Sequence, residues 1–173
     1  MKIRTSVLYV VAGLFFLSAE TDQANLAEGY RPGDIAPGIK SLGMDADIAF
    51  SNNSGYYTLL HFWAAYDAAS RMQNVQLWNK LSYDGWLPVK MISVSLDELE
   101  SIFVETVKTD KLEMTDQIHE KLGERSETYK KYGLKKGLRN FLIDDNGVII
   151  ATGVTPDMLS EIISKREKSL LTD

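Results

Sequence analysis

Tyr57-Thr58-Leu59-Leu60-His61-Phe62-Trp63-Ala64-Ala65-Tyr66-Asp67-Ala68-Ala69-Ser70-Arg71 is the stretch whose reading decides the fold. Its first seven residues are apolar and β-prone, which predicts a buried strand. Small residues follow, and Met72, Val75, Trp78 and Leu81 then recur at helical spacing, which predicts the inner stripe of a helix. A strand that feeds a helix through a short turn puts that turn at the carboxyl end of a sheet, where α/β folds carry their sites. Asp67 opens the helix, where a carboxylate accepts backbone N–H groups and complements the helix dipole.

Downstream, Val89–Leu96 predicts a second buried strand. Asp97 reads as the N-cap of a helix with Leu99, Ile102, Phe103 and Thr106 on one face. Residues 108–125 are charged and weakly patterned, which predicts an irregular region with a short helix. Ser126 caps the next helix, in which Tyr129 and Tyr132 face inward and Gly133 supplies a left-handed end. Two apolar runs flank Asn146-Gly147 within Phe141–Ala151, predicting a hairpin closed by a type I′ turn. Thr155-Pro156 opens a last helix with Met158, Leu159, Ile162 and Ile163 inward, and Lys165, Arg166 and Lys168 suit its C-terminal end. Upstream, Gly33–Ile39 reads as a turn before an edge strand, and 39–42 with 47–50 as a short strand pair.

A chain of 173 residues with 45% hydrophobic content supports one core. The formal charge of −5 argues against nucleic acid as a partner. Cysteine is absent, which removes disulfides, thiolate metal sites and cysteine nucleophiles together. Lys2 and Arg4 precede an apolar run from Ser6 to Ala19, the pattern of an export signal too short to span a membrane comfortably. The expected organisation is a signal peptide at 1–19 with an uncertain cleavage point, a lead-in at 20–34 and one domain at 35–173. Export to the periplasm or cell envelope follows from it. An uncleaved N-terminal anchor is the alternative, and the only route to a membrane.

The central stretch resembles the Phe-Trp-Ala-x-Trp-Cys-x-x-Cys-Arg segment of thioredoxin-like proteins. Gly33…Ala36-Pro37 resembles the opening of TlpA-like and redoxin-type domains, and Tyr132, Phe141-Leu142-Ile143-Asp144 and Gly147 resemble the family's ending. The resemblance implies an α/β fold, a thioredoxin-like three-layer sandwich with a mixed β-sheet flanked by helices. Asp67 and Ser70 stand where that family has its two cysteines. Leu138, preceded by Gly137, stands where it has a cis-proline, so a trans bond is expected there. Val75 replaces the proline of the first helix, which implies a straighter helix. The family's substrate groove maps onto Trp63, Tyr66, Asp67 and Leu138.

A carboxylate cannot exchange disulfides, and a serine without a base is a poor nucleophile, so dithiol chemistry is excluded. His61 lies beneath the turn as a packed or hydrogen-bonded core histidine, or as a base near Asp67. Nothing in the spacing supports a Ser70–His61–Asp67 triad, and one His with one Asp is too few for a metal. No catalytic residue, metal or cofactor is therefore expected. The expected function is an exported thioredoxin-fold module without dithiol chemistry that binds an envelope protein or peptide in the degenerate groove. Two alternatives stand beside it: an enzyme with repurposed non-thiol chemistry at Asp67 and His61, or a structural subunit of an envelope complex that exposes an apolar patch.

Overall fold

In the computed structural model the described residues are 26–40, 48–51, 55–83, 85, 87–112 and 117–170. The proposed signal peptide lies outside them, as do residues 41, 42 and 47 of the proposed strand pair; within its described part Ile39 and Ile48 form an antiparallel bridge.

Tyr57–Trp63 forms β1, and all seven of its residues are buried. It is the middle strand of a five-stranded mixed sheet. On one side it runs parallel to β2 (Val89–Ser95), and on the other antiparallel to β4 (Asn140–Ile143). The outer strands are β3 (Gln117–His119), parallel to β2, and β5 (Ile149–Thr152), antiparallel to β4, giving the order β3-β2-β1-β4-β5. The strand β3 falls in the region where the weak pattern predicted no strand. Three residues at a sheet edge are too few to show an alternation.

The helices cover both faces, and this is the three-layer sandwich that the sequence implied. On one face α1 (Ala68–Tyr83) and α4 (Pro156–Leu170) close over Leu59, Met91 and Leu142 through Leu77, Leu159 and Ile163. On that same face α2 (Glu100–Thr109) packs Phe103 and Val107 onto Trp63. The opposite face, built on Leu60, Phe62, Val94 and Phe141, is covered by Tyr132 and Leu134, which flank the end of α3 (Glu127–Lys131), and by Ala36, Ile39 and Phe50. Tyr132 also donates its hydroxyl to the Pro37 carbonyl at 2.5 Å. The lead-in belongs to the domain from Ala27 onward: Gly33 N–H donates to the Ile149 carbonyl at 2.8 Å, and Tyr30 packs against the core.

Several local expectations are met. Ser126 Oγ accepts the Tyr129 N–H at 3.1 Å, Gly133 has φ 60°, and α4 opens on Pro156. Four are corrected. Asp97 does not cap α2, whose N-cap is Leu99 without a side-chain bond; Leu99 and Ile102 are exposed, and Phe103, Thr106 and Val107 face inward. Met158 of α4 is exposed. The hairpin turn is not type I′, because only Gly147, at φ 83°, takes a positive φ. Gly147 N–H donates to the Asp144 carbonyl and Asp144 N–H to the Val148 carbonyl, a type I turn followed by a left-handed glycine. Finally, the buried stripe of α1 is Ser70, Asn74 and Leu77, while Met72 is exposed and Val75, Trp78 and Leu81 are half-buried. The helix turns a largely polar stripe to the sheet, which hydrophobic spacing cannot reveal.

Candidate functional site

The turn between β1 and α1 is held from three directions. Asp67 Oδ1 accepts the Ser70 N–H at 2.9 Å, capping α1 at its third residue, and Ser70 Oγ donates to the Asp67 carbonyl at 3.2 Å. Arg71 makes a two-pronged pair with Asp110 just beyond α2, Nε to Oδ2 at 2.7 Å and Nη2 to Oδ1 at 2.6 Å. From below, the buried carboxylate of Asp97 accepts the Ala65 N–H at 3.1 and 3.0 Å and the Ser95 hydroxyl at 2.8 Å. The Asp97 carbonyl in turn accepts His119 Nε2 at 2.6 Å. One acid thus joins the ends of β1, β2 and β3.

Beneath α1 lies a row of polar side chains that crosses the sheet. Strand register places Gln117, Ser93, His61 and Asn140 side by side on β3, β2, β1 and β4. Ser93 donates to Asn74 Oδ1 at 2.6 Å, Asn74 Nδ2 donates to Gln117 Oε1 at 3.4 Å, and Asn140 exchanges two bonds with the Val154 backbone at 2.8 and 2.7 Å. His61 Nε2 lies 2.9 Å from the Ser70 carbonyl oxygen. A carbonyl only accepts, so Nε2 carries the proton. Burial holds the ring neutral, with its pKa lowered to about 4 against the opposing pull of the Ser70 bond and the nearby Asp67 charge. His61 Nδ1 and Gln117 Nε2 are buried with no partner.

The residues predicted for the site separate into three groups. Asp67 and Ser70 meet each other, and His61 meets the Ser70 carbonyl rather than its hydroxyl, so no nucleophile–base pair is assembled. Trp63 is 0% exposed and packs against Phe103, so it does not line a groove. A tryptophan that ends a strand beneath two helices is core. Tyr66 is 65% exposed, and Leu138 is half-buried against the opposite core face. No peptide bond among the described residues is cis, and Gly137 reaches Leu138 with φ 119° and ψ 149°. Tyr66 stands in an acidic field: burial first, then Glu124, Asp97, Tyr129 and Asp67, push its phenol pKa upward.

The sequence reading gave Asp97 only as a helix cap and Ser93 only as part of a strand, and it passed over Asn74, Gln117 and Asn140. For Asn74, Ser93, Gln117 and Asn140 the signal is a polar residue inside a strand or helix face, legible only once strand register aligns them. A hollow of about 360 Å³ beside the turn is lined by Ala65, Ala68, Arg71, Met72, Val75 and Asp110. A larger one, about 420 Å³, lies by the amino-terminal ends of β1 and β2, at the far end of the sheet. Among the described residues no group of three or more His, Cys, Asp or Glu could hold a metal.

Fold and site define a thioredoxin-like architecture in a chain without cysteine. A thioredoxin-like protein from Parabacteroides distasonis is 55% identical, with 80% of this chain and 98% of that one aligned and a TM-score of 0.74. The chain belongs to the thioredoxin-like family. The C-terminal domain of a putative thiol-disulfide oxidoreductase from Bacteroides thetaiotaomicron is 25% identical (TM-score 0.65, 79% of this chain and 95% of that one). The thioredoxin domain of a thiol-disulfide oxidoreductase from Bacteroides vulgatus shares the fold at 20% identity (TM-score 0.65, 78% and 96%). No protein-family profile and no curated protein matches the chain.

Proposed function

We propose that this chain is an exported thioredoxin-fold binding module that works without thiol exchange. The observation that carries the reading is the state of the former redox turn. Asp67 spends a carboxylate oxygen on the Ser70 N–H, the chain has no cysteine, and Tyr66 stands exposed at the same turn. The scaffold is kept rigid by Asp97 and by the Arg71–Asp110 pair, and a rigid turn that presents an exposed aromatic is suited to anchoring a partner. Export is supported by Lys2, Arg4 and the apolar run that follows them. Among the described residues no helix is long and apolar enough to cross a membrane.

The enzyme reading has less support. His61 is strongly perturbed, but it is buried and its Nε2 proton is committed to the Ser70 carbonyl. The test is a capture experiment from envelope extract with wild type and a Tyr66→Ala/Leu138→Asp variant, run beside insulin-reduction and peroxide assays. A specific partner held by wild type and lost by the variant is expected, with no turnover in either assay. Turnover above background, or identical capture by both proteins, overturns the reading.

A further inference from the structure

Tyr66 has two flanks. Toward β4 lies Leu138, and toward β2 and β3 lie the loops that follow those strands. The second flank carries the exposed apolar surface: Leu99 is 60% exposed, Ile102 43% and Leu122 40%, beside Tyr66 at 65%. Tyr66, Leu99 and Leu122 come from three separate loops at the carboxyl ends of the three parallel strands, Ile102 comes from the first turn of α2, and the structure draws the loops together. Asp97 bonds Ala65, Ser95 and His119, and Glu120 N–H donates to the Ser95 carbonyl at 2.8 Å. Gly123 sits so close to the β2 end that an added Cβ would lie 2.9 Å from the Leu96 carbonyl oxygen. Arg125 reaches Glu98 at 3.4 Å.

The same loops are strongly acidic. Residues 64–67, 97–100 and 120–127 hold seven acidic side chains against two basic ones, Lys121 and Arg125. Asp97 and Glu120 are buried, and Glu98 and Glu127 pair with Arg125 and Lys131, which leaves Asp67, Glu100 and Glu124 as the acids of the surface. Apolar side chains set in negative charge fit a partner of the opposite make-up and repel an anionic lipid surface.

We propose that the edge formed by the β1, β2 and β3 loops, with Tyr66, Leu99 and Leu122 as anchors, docks a cationic, apolar protein segment in which Lys or Arg alternates with aliphatic residues. This rests on the binding-module reading and gives it a direction and a partner chemistry. Tyr66, Glu100 and Glu124 receive the cationic groups, and Leu99, Ile102 and Leu122 receive the aliphatic ones.

The probes are three end-blocked hexapeptides, alternating Lys-Leu, alternating Glu-Leu and alternating Ser-Gly, titrated into the isotopically labelled chain with amide shifts as the readout. The Lys-Leu peptide is expected to move the amides of Tyr66, Leu99 and Leu122, with affinity falling at least tenfold from low to high salt. Leu122→Lys is expected to weaken it tenfold or more, and Tyr83→Ser, an exposed change at the far end of α1, to leave it unchanged. Equal binding of the Glu-Leu peptide overturns the cationic chemistry while leaving the module reading intact. Loss on Leu138→Asp with none on Leu122→Lys moves docking to the other flank and likewise overturns only this proposal. No shift with any peptide at millimolar concentration overturns it too, and the capture experiment then decides the module reading by itself.

Discussion

His61 on the central strand donates its Nε2 proton to the backbone carbonyl of Ser70, 2.9 Å away in the first turn of α1. The bond ties the helix start to the sheet where the buried residues of α1 are polar. Ser70 and Asn74 face the sheet over this part of α1; Val75 packs to the side against the Trp63 cluster, and the first fully buried apolar residue is Leu77. A buried neutral imidazole under a helix carries a pH cost, from which the first prediction follows.

Above pH 6.5 His61 is neutral both folded and unfolded, so it adds no pH dependence. Between 6.5 and about 4 the unfolded chain takes up the proton and the native protein does not, so stability falls as the pH drops through that window. The loss amounts to roughly 3 kcal/mol, and this group adds nothing further below pH 4. Urea titrations of wild type and His61→Gln across pH 4–7 should converge toward acid. Parallel curves would show that His61 is not the group responsible.

Asp97 is expected to matter more to folding than its position in a loop suggests. Asp97→Ala strips a buried acceptor from the Ala65 N–H and the Ser95 hydroxyl, at a cost of roughly 2–4 kcal/mol. The midpoint of urea unfolding measures this, and hydrogen exchange at Ala65 should speed up in the same variant.

Asp67→Ala should cost about 0.5–2 kcal/mol, the value of a helix cap. Asp67→Asn keeps an oxygen for the Ser70 N–H and loses only the charge–dipole part, about 0.3–1 kcal/mol. A thermal melt that ranks Asn with Ala instead would mean that the charge, and not the cap, is what the position supplies.

Gly137 tests the backbone alone. Its φ of 119° with ψ of 149° is a glycine conformation, and nothing lies within 4 Å of where a Cβ would be. Gly137→Ala should therefore destabilise by about 1–3 kcal/mol through strain without any clash. Equal melting temperatures for the two proteins would contradict it.

Much of this molecule was legible from its residues. The apolar run Tyr57–Trp63, Thr155-Pro156, Ser126 with Gly133, and the apolar runs flanking Asn146-Gly147 fixed most elements, because each signal is local and depends on backbone chemistry at that residue. The redox turn without cysteines was legible for the same reason: residue identity alone says which chemistry is missing. Asp67 as a cap could be read from its place at the helix start.

What the residues could not show was decided between elements. Asp97 looked like a helix cap by its position, yet strand ends arriving beneath it offered the Ala65 N–H and the Ser95 hydroxyl, and it bonds those instead. Trp63 looked like a groove aromatic until α2 covered it. The polar stripe of α1 and the row from Gln117 to Asn140 exist only through strand register, which aligns residues far apart in the chain. Sequence by itself determined the fold and the absence of thiol chemistry, because both follow from residue type and local pattern. Tertiary structure decided which polar groups meet and which apolar ones stay exposed, because burial and hydrogen-bond partners are properties of packing.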